Sequence, residues 1–207
     1  MKKLLLALAL AAVAVGANAQ VTFSGGGSAA PLTAYDPNGP AGTLAMPVYG
    51  VADATIDTTA GDLVATFLGF EANDLDSYNF AMSGGTLTNH DALGSSISGL
   101  VPAGMLDFTF ADLFTGTSVG NGGSSGPYTS YSVLGSFDNG VFSPYTLGGM
   151  YDLILGFNDG LKVDADYDDM VVGLRVTPVP EPETYALMLA GLGAIAFIGR
   201  RRKKFSA

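Results

Sequence analysis

The chain has no cysteine and no tryptophan, and its only histidine is His90. Without cysteine there is no disulfide staple, no thiolate metal site and no cysteine nucleophile. A single histidine leaves too few ligands for a catalytic zinc centre. Cations are also scarce in the middle of the chain. Of the nine Lys and Arg, Lys2 and Lys3 open the sequence and five form Arg200-Arg201-Arg202-Lys203-Lys204. Residues 20–177 keep only Lys162 and Arg175 against 17 of the 19 acids, a formal charge of −15. A surface that negative excludes binding to phosphate backbones, so no nucleic-acid partner is expected. Two readings of the charge stay open, attraction of divalent cations and solubility alone. Stability must come from packing, or from packing together with ions, and nine tyrosines and twelve phenylalanines supply the material.

Both ends of the chain read as addresses. Residues 1–19 have the three parts of a secretory signal peptide. Lys2 and Lys3 form the charged start, Leu4 to Val15 the apolar stretch, and Ala17-Asn18-Ala19 a small-x-small cleavage site. The mature chain is expected to begin at Gln20. No cysteine follows the apolar stretch, which excludes a lipoprotein.

The other end, residues 178–207, consists of three consecutive blocks. Val179-Pro180-Glu181-Pro182 comes first, and its two prolines fix φ and remove backbone donors, so this piece is extended and open. Residues 184–199 follow, uncharged and almost wholly apolar, with Thr184 placed to cap a helix. Sixteen residues at about 1.5 Å each reach roughly 24 Å, short of a hydrocarbon core of roughly 30 Å. Tyr185 and snorkelling arginines can make up the difference, so a C-terminal transmembrane helix is expected. Arg200 to Lys204 then act as stop-transfer cations that stay in the cytoplasm. A buried core helix would not carry five adjacent cations at one end.

In the order and spacing of these blocks the tail resembles the PEP-CTERM sorting signal of Gram-negative bacteria. The resemblance rests on Val179 to Pro182, on Leu187 to Gly199 with Gly191 and Gly193, and on Arg200 to Arg202. It implies recognition by an exosortase, a membrane cysteine protease, near the proline motif. The exported part would then pass from the inner membrane to the cell surface or its exopolysaccharide matrix. The resemblance covers about the last 28 residues and says nothing about the rest.

Residues 20–177 suit one domain with a real core. Period-two patterns predict strands over 78–82, 106–110, 151–157 and 170–176, with further candidates at 21–23, 48–56, 63–70 and 128–134. Asn139-Gly140 predicts a tight hairpin between 133–137 and 141–145. Helix is scarce, with one turn possible at Asp112-Leu113-Phe114. The expected fold is mainly β, a single antiparallel β-sandwich of jelly-roll type followed by the transmembrane helix. Residues 24–47 and 116–127 are rich in Gly, Pro and small residues and read as surface connections with no core to offer.

The strongest candidate for chemistry is Asp159-Gly-Leu-Lys-Val-Asp164-Ala-Asp166-Tyr-Asp168-Asp169. Hard cations such as Ca²⁺ take six to eight oxygens, and clustered carboxylates on a bending loop supply several. The EF-hand pattern fails, since counting from Asp164 the sixth position is Asp169 instead of Gly and the twelfth is Arg175 instead of Glu. The alternative is a solvated turn entering the last strand, with Arg175 pairing one aspartate. No cofactor beyond Ca²⁺ is suggested.

Gly116-Thr117-Ser118-Val119-Gly120 matches the hydrolase pattern G-x-S-x-G, but a nucleophile elbow needs a helix after the serine and a glycine-rich stretch follows. His90 precedes Ser118, against the hydrolase order. Paired carboxylates for glycoside cleavage need an acid held in an apolar pocket, and Glu71 is the only glutamate in residues 20–177. The expected function is a non-enzymatic structural protein of the cell surface or exopolysaccharide matrix. The competing class is a carbohydrate-binding protein, Ca²⁺-dependent or not, or a carbohydrate-active one.

Overall fold

The computed structural model describes residues 20–123, 129–160, 166–179 and 188–195. Fifteen strands and one 3₁₀ turn, Pro40–Thr43, are described, and every strand pair is antiparallel. The strands are β1 (Val21–Ser24), β2 (Ala30–Pro31), β3 (Tyr49–Ala52), β4 (Thr55–Thr58), β5 (Gly61–Gly69), β6 (Asp76–Phe80), β7 (Leu87–Thr88) and β8 (Ser96–Val101). They continue as β9 (Gly104–Met105), β10 (Phe108–Asp112), β11 (Ser118–Gly120), β12 (Ser130–Asp138), β13 (Val141–Pro144), β14 (Leu153–Asn158) and β15 (Met170–Thr177).

They form an eight-stranded sheet in the order β2-β3-β12-β14-β15-β5-β8, with β13 added on β12. A four-stranded sheet, β11-β10-β6-β7, and a three-stranded one, β1-β4-β9, complete the fold. The main core draws on all three. Leu63, Ala65, Phe67, Leu153, Leu155, Phe157, Val172 and Leu174 come from the large sheet, Tyr78, Phe80, Phe108 and Phe110 from the second, and Val21 and Ile56 from the third. This is sheet-on-sheet packing. The Phe110 and Phe157 rings stack across it with centroids 5.1 Å apart. The unequal division into sheets of eight, four and three departs from the paired sheets of a jelly roll.

β14 and β15 are buried on both faces. Leu153, Leu155 and Phe157 point into the main core, while Ile154 joins a second cluster with Val171, Leu68 and Leu134. Leu32, Tyr35, Ala41, Leu44 and Val48 cover that second face. The segment 24–47 therefore does offer a core, contrary to its composition. Its few apolar residues are spaced irregularly, so no periodicity announces them. Segment 116–127 is likewise more than a connection. β11 pairs with β10 and buries Val119, and the Asn121 side chain bonds the backbone of Ile56 and Leu106.

Strand limits shift in ways the turns explain. The 48–56 stretch breaks at Asp53, which has φ 55, into β3 and β4. Met82 leaves β6 with φ 74 and is exposed instead of closing an apolar face. Asn139 and Gly140, at φ 49 and 83, make the hairpin between β12 and β13 with both central residues at positive φ. Asp112 ends β10 and accepts the backbone N–H groups of Phe114 and Thr115, fixing a turn there.

The second core gives a direct test. Leu32→Ala is expected to cost about 2–5 kcal/mol of stability in urea denaturation, the range for a buried leucine. A loss below about 0.5 kcal/mol, the usual surface value, would mean that 24–47 is a free loop.

Candidate metal centre

The antiparallel pairing gathers acids at one end of the large sheet. Phe157 of β14 faces Met170 of β15, and Val171 faces Gly69 of β5. The residues after β14, before β15 and after β5 therefore share one edge. These are Asp159, the run Asp166-Tyr167-Asp168-Asp169, and Glu71. The 70–75 connection then crosses to the four-stranded sheet and delivers Asp76 at the start of β6, opposite Asp112 of β10.

Tyr167, just before β15, is held tightly against β14. A Cβ on Gly156 would overlap the Tyr167 carbonyl, and Tyr167 itself adopts φ 59. Only glycine permits that approach. Ser130 donates its hydroxyl to the Tyr167 phenolic oxygen at 3.1 Å. The Glu71 N–H donates to the Asp168 carbonyl at 2.7 Å, and the Asp36 N–H donates to Asp168 Oδ2. The Asp159 N–H donates to Asp169 Oδ2 at 2.8 Å. Asn89 supports Asp76 from the other side, accepting its N–H at 3.1 Å and donating to its Oδ2 at 3.4 Å.

One carboxylate oxygen from each of Glu71, Asp168 and Asp169 lies within 4.8 Å of the other two. Asp76, Asp159, Asp166, Asp168 and Asp169 are buried. Asp168 Oδ1 and Asp76 Oδ1 are buried with no hydrogen-bond donor among the described residues. The only described Lys or Arg among residues 20–177 is Arg175, five positions along β15 from Met170 and so about 17 Å away. Its guanidinium donates to the Met150 carbonyl.

Burial pushes the Asp76 carboxyl up to about 8, helped by the charges of Asp159, Asp169 and Asp112. Burial also lifts Asp168 to about 8, with the Asp36 N–H opposing and the adjacent Asp166 carboxyl adding to the rise. Asp169 is raised to about 7 by burial, against the Asp159 N–H and with the charges of Asp159, Asp166 and Glu71. Buried carboxylates in this state need protons or a cation.

Of the acids singled out in the sequence, Asp159, Asp166, Asp168 and Asp169 do come together, while Asp164 lies outside the described residues. The solvated-turn reading is overturned by their burial, and the suggested Arg175 partner points to the other end of β15. Sequence reasoning missed Glu71 and Asp76. The signal was there in Glu71-Ala-Asn-Asp74-Leu-Asp76, a second acidic run between two strands, but nothing local says that it meets the first.

The hydrolase candidates do not converge on a nucleophile elbow. Ser118 is exposed on strand β11 and is followed by a turn, and His90 is an exposed turn residue.

At the C-terminus, Val179 is exposed just beyond β15. Pro180, Glu181, Pro182 and Arg200 to Lys204 lie outside the described residues, as do residues 1–19. Of 184–199, residues 188–195 are described, and they are helical and exposed. Among the described residues no helix is long and apolar enough to cross a membrane.

The family model of the PEP-CTERM protein-sorting motif matches residues 178–203. The chain thus carries that motif, which marks a protein sorted through an exosortase to the cell surface by a membrane-associated route. The exosortase is the implied processing partner. No curated protein and no solved structure matches the chain.

The acid centre sets a pH dependence for the metal-free protein. The folded carboxyls bind protons more tightly than the unfolded chain, whose value is 3.8. Their stabilising contribution is complete below that value and is lost as pH rises through about 7 to 8. In chelator, the melting temperature should fall between about pH 5 and pH 8. A flat or rising profile across that window would contradict the assigned shifts.

Proposed function

We propose that the chain is a structural, non-catalytic component of the cell surface or the exopolysaccharide matrix. In this reading residues 1–19 direct export and 184–199 hold the tail in the inner membrane. Residues 20–177 fold outside, and an exosortase acts near Val179-Pro180-Glu181-Pro182.

The observation that supports it is where the sorting motif joins the fold. The match begins at residue 178, immediately after β15 ends at Thr177. β15 lies inside the large sheet, bonded to β14 on one side and to β5 on the other. A tether leaving such a strand loads two hydrogen-bonded ladders in shear, so many bonds must yield together. An edge strand would peel one bond at a time. Where processing transfers the new C-terminus to a surface or matrix component, a domain attached this way suits bearing load between cell and matrix.

The test is made in the native host. Wild type is expected to reach the surface or matrix fraction with a mass that lacks the tail. A variant with Pro180→Ala, Glu181→Ala and Pro182→Ala should remain in the membrane fraction, still ending at Ala207. A wild-type species that keeps Ala207 whether or not an exosortase is present would refute processing. Accumulation of the processed protein in the periplasm would refute the matrix role.

A further inference from the structure

We infer that Glu71, Asp168 and Asp169 form a calcium site that ties the β5–β6 crossover to the residues entering β15. Two oxygens on opposite sides of one Ca²⁺ stand about 4.8 Å apart, twice a Ca–O distance of about 2.4 Å. The Glu71, Asp168 and Asp169 oxygens meet that limit pairwise, so one ion can touch all three.

The independent observation is the state of Asp168. Its side chain is fully buried, its Oδ2 accepts from the Asp36 N–H, and its Oδ1 has no donor among the described residues. A buried carboxylate oxygen without a donor costs free energy that a cation in contact with it removes. Asp76 Oδ1 is in the same condition, in a carboxyl that feels the charges of Asp159 and Asp169.

The donor set is all oxygen, which suits a hard cation and not zinc or copper. The ligands also come from sequence-distant segments. Glu71 opens the sheet-to-sheet crossover after β5, and Asp168 and Asp169 lead into β15. An ion here neutralises charge and ties the start of the β5–β6 crossover to the entry of β15. The tight turn at Tyr167 and its contact at Gly156 hold Asp168 and Asp169 in place before any ion binds, which lowers the ordering cost of binding. The inference does not depend on the route of export, and it can fail or hold independently of the sorting reading.

The experiment uses the full chain purified in detergent, with thermal melts and calcium titrations read against chelator. Wild type should gain several degrees in melting temperature, with half-saturation at about 10⁻⁴–10⁻³ M calcium, the range of extracellular modules. Asp168→Asn should lose most of the calcium response. Asp138→Asn, on the exposed β12–β13 hairpin, should respond like wild type. Glu71→Gln, at a half-buried position, provides a second reading if the buried substitutions do not fold, and should weaken calcium binding at least tenfold. No calcium shift in wild type would overturn the proposal. So would an undiminished shift in both Asp168→Asn and Glu71→Gln, or an equal response to magnesium.

Discussion

β15 is hydrogen-bonded on both of its edges, to β14 and to β5, and most of the fold depends on that constraint. Over Met170–Leu174 the strand is also covered on both faces, so its apolar residues alternate between two cores. Met170, Val172, Leu174 and Val176 enter the main core and Val171 the second. A slip of one residue would exchange the two sets and put Arg175 inside. The second core explains why segment 24–47 is pinned across the sheet. Without Leu32, Tyr35, Ala41, Leu44 and Val48 over them, Ile154, Val171 and Leu68 would face water.

The same pairing creates the acid centre. Antiparallel neighbours put the end of β14, the start of β15 and the end of β5 side by side, and each carries carboxylates into the connection that follows or precedes it. Burying them is unfavourable on its own, because desolvation and mutual repulsion both act against the charged form. Backbone N–H groups from Asp36 and Asp159 offset part of this. The remainder falls on Asp168 Oδ1 and Asp76 Oδ1, which no donor among the described residues reaches. Such a centre resembles a preformed ligand shell more than a structural hydrogen-bond network, in which every buried polar atom would be satisfied.

How much of this the sequence discloses depends on the range of the interaction. β15 is legible from Met170 to Thr177 because its alternation is local, and the β12–β13 hairpin is legible because Asn139-Gly140 meets the need for two positive φ angles. β8 is not, since Ser96-Ile-Ser-Gly-Leu-Val101 is short and polar and becomes a strand only by pairing with β5. β14 is legible as a strand, but Leu153 to Asn158 is buried throughout, which period-two reasoning over one apolar face does not anticipate. The aspartates of 159–169 announce themselves by density. Glu71 and Asp76 become partners of that cluster only because the chain changes sheets between them, a fact held in the topology and not in either segment. The sorting motif is the most legible part, since it is read as a linear signal.

The acid centre and the tail sit at opposite ends of one strand, and this links the two proposals mechanically. Tension applied at Thr177 passes along β15 toward Met170. The ladders to β14 and β5 share it only while the far end of β15 is held. Among the bonds that fix that end are the Glu71 N–H to the Asp168 carbonyl, the Asp36 N–H to Asp168 Oδ2, and the Asp159 N–H to Asp169 Oδ2. Repulsion among carboxylates works against all three. A divalent ion bound by Glu71, Asp168 and Asp169 reverses the sign of that interaction and turns this end of the central strand into a clamp. The end of β15 opposite the tether is thus where added binding energy does most to keep the ladders loaded together.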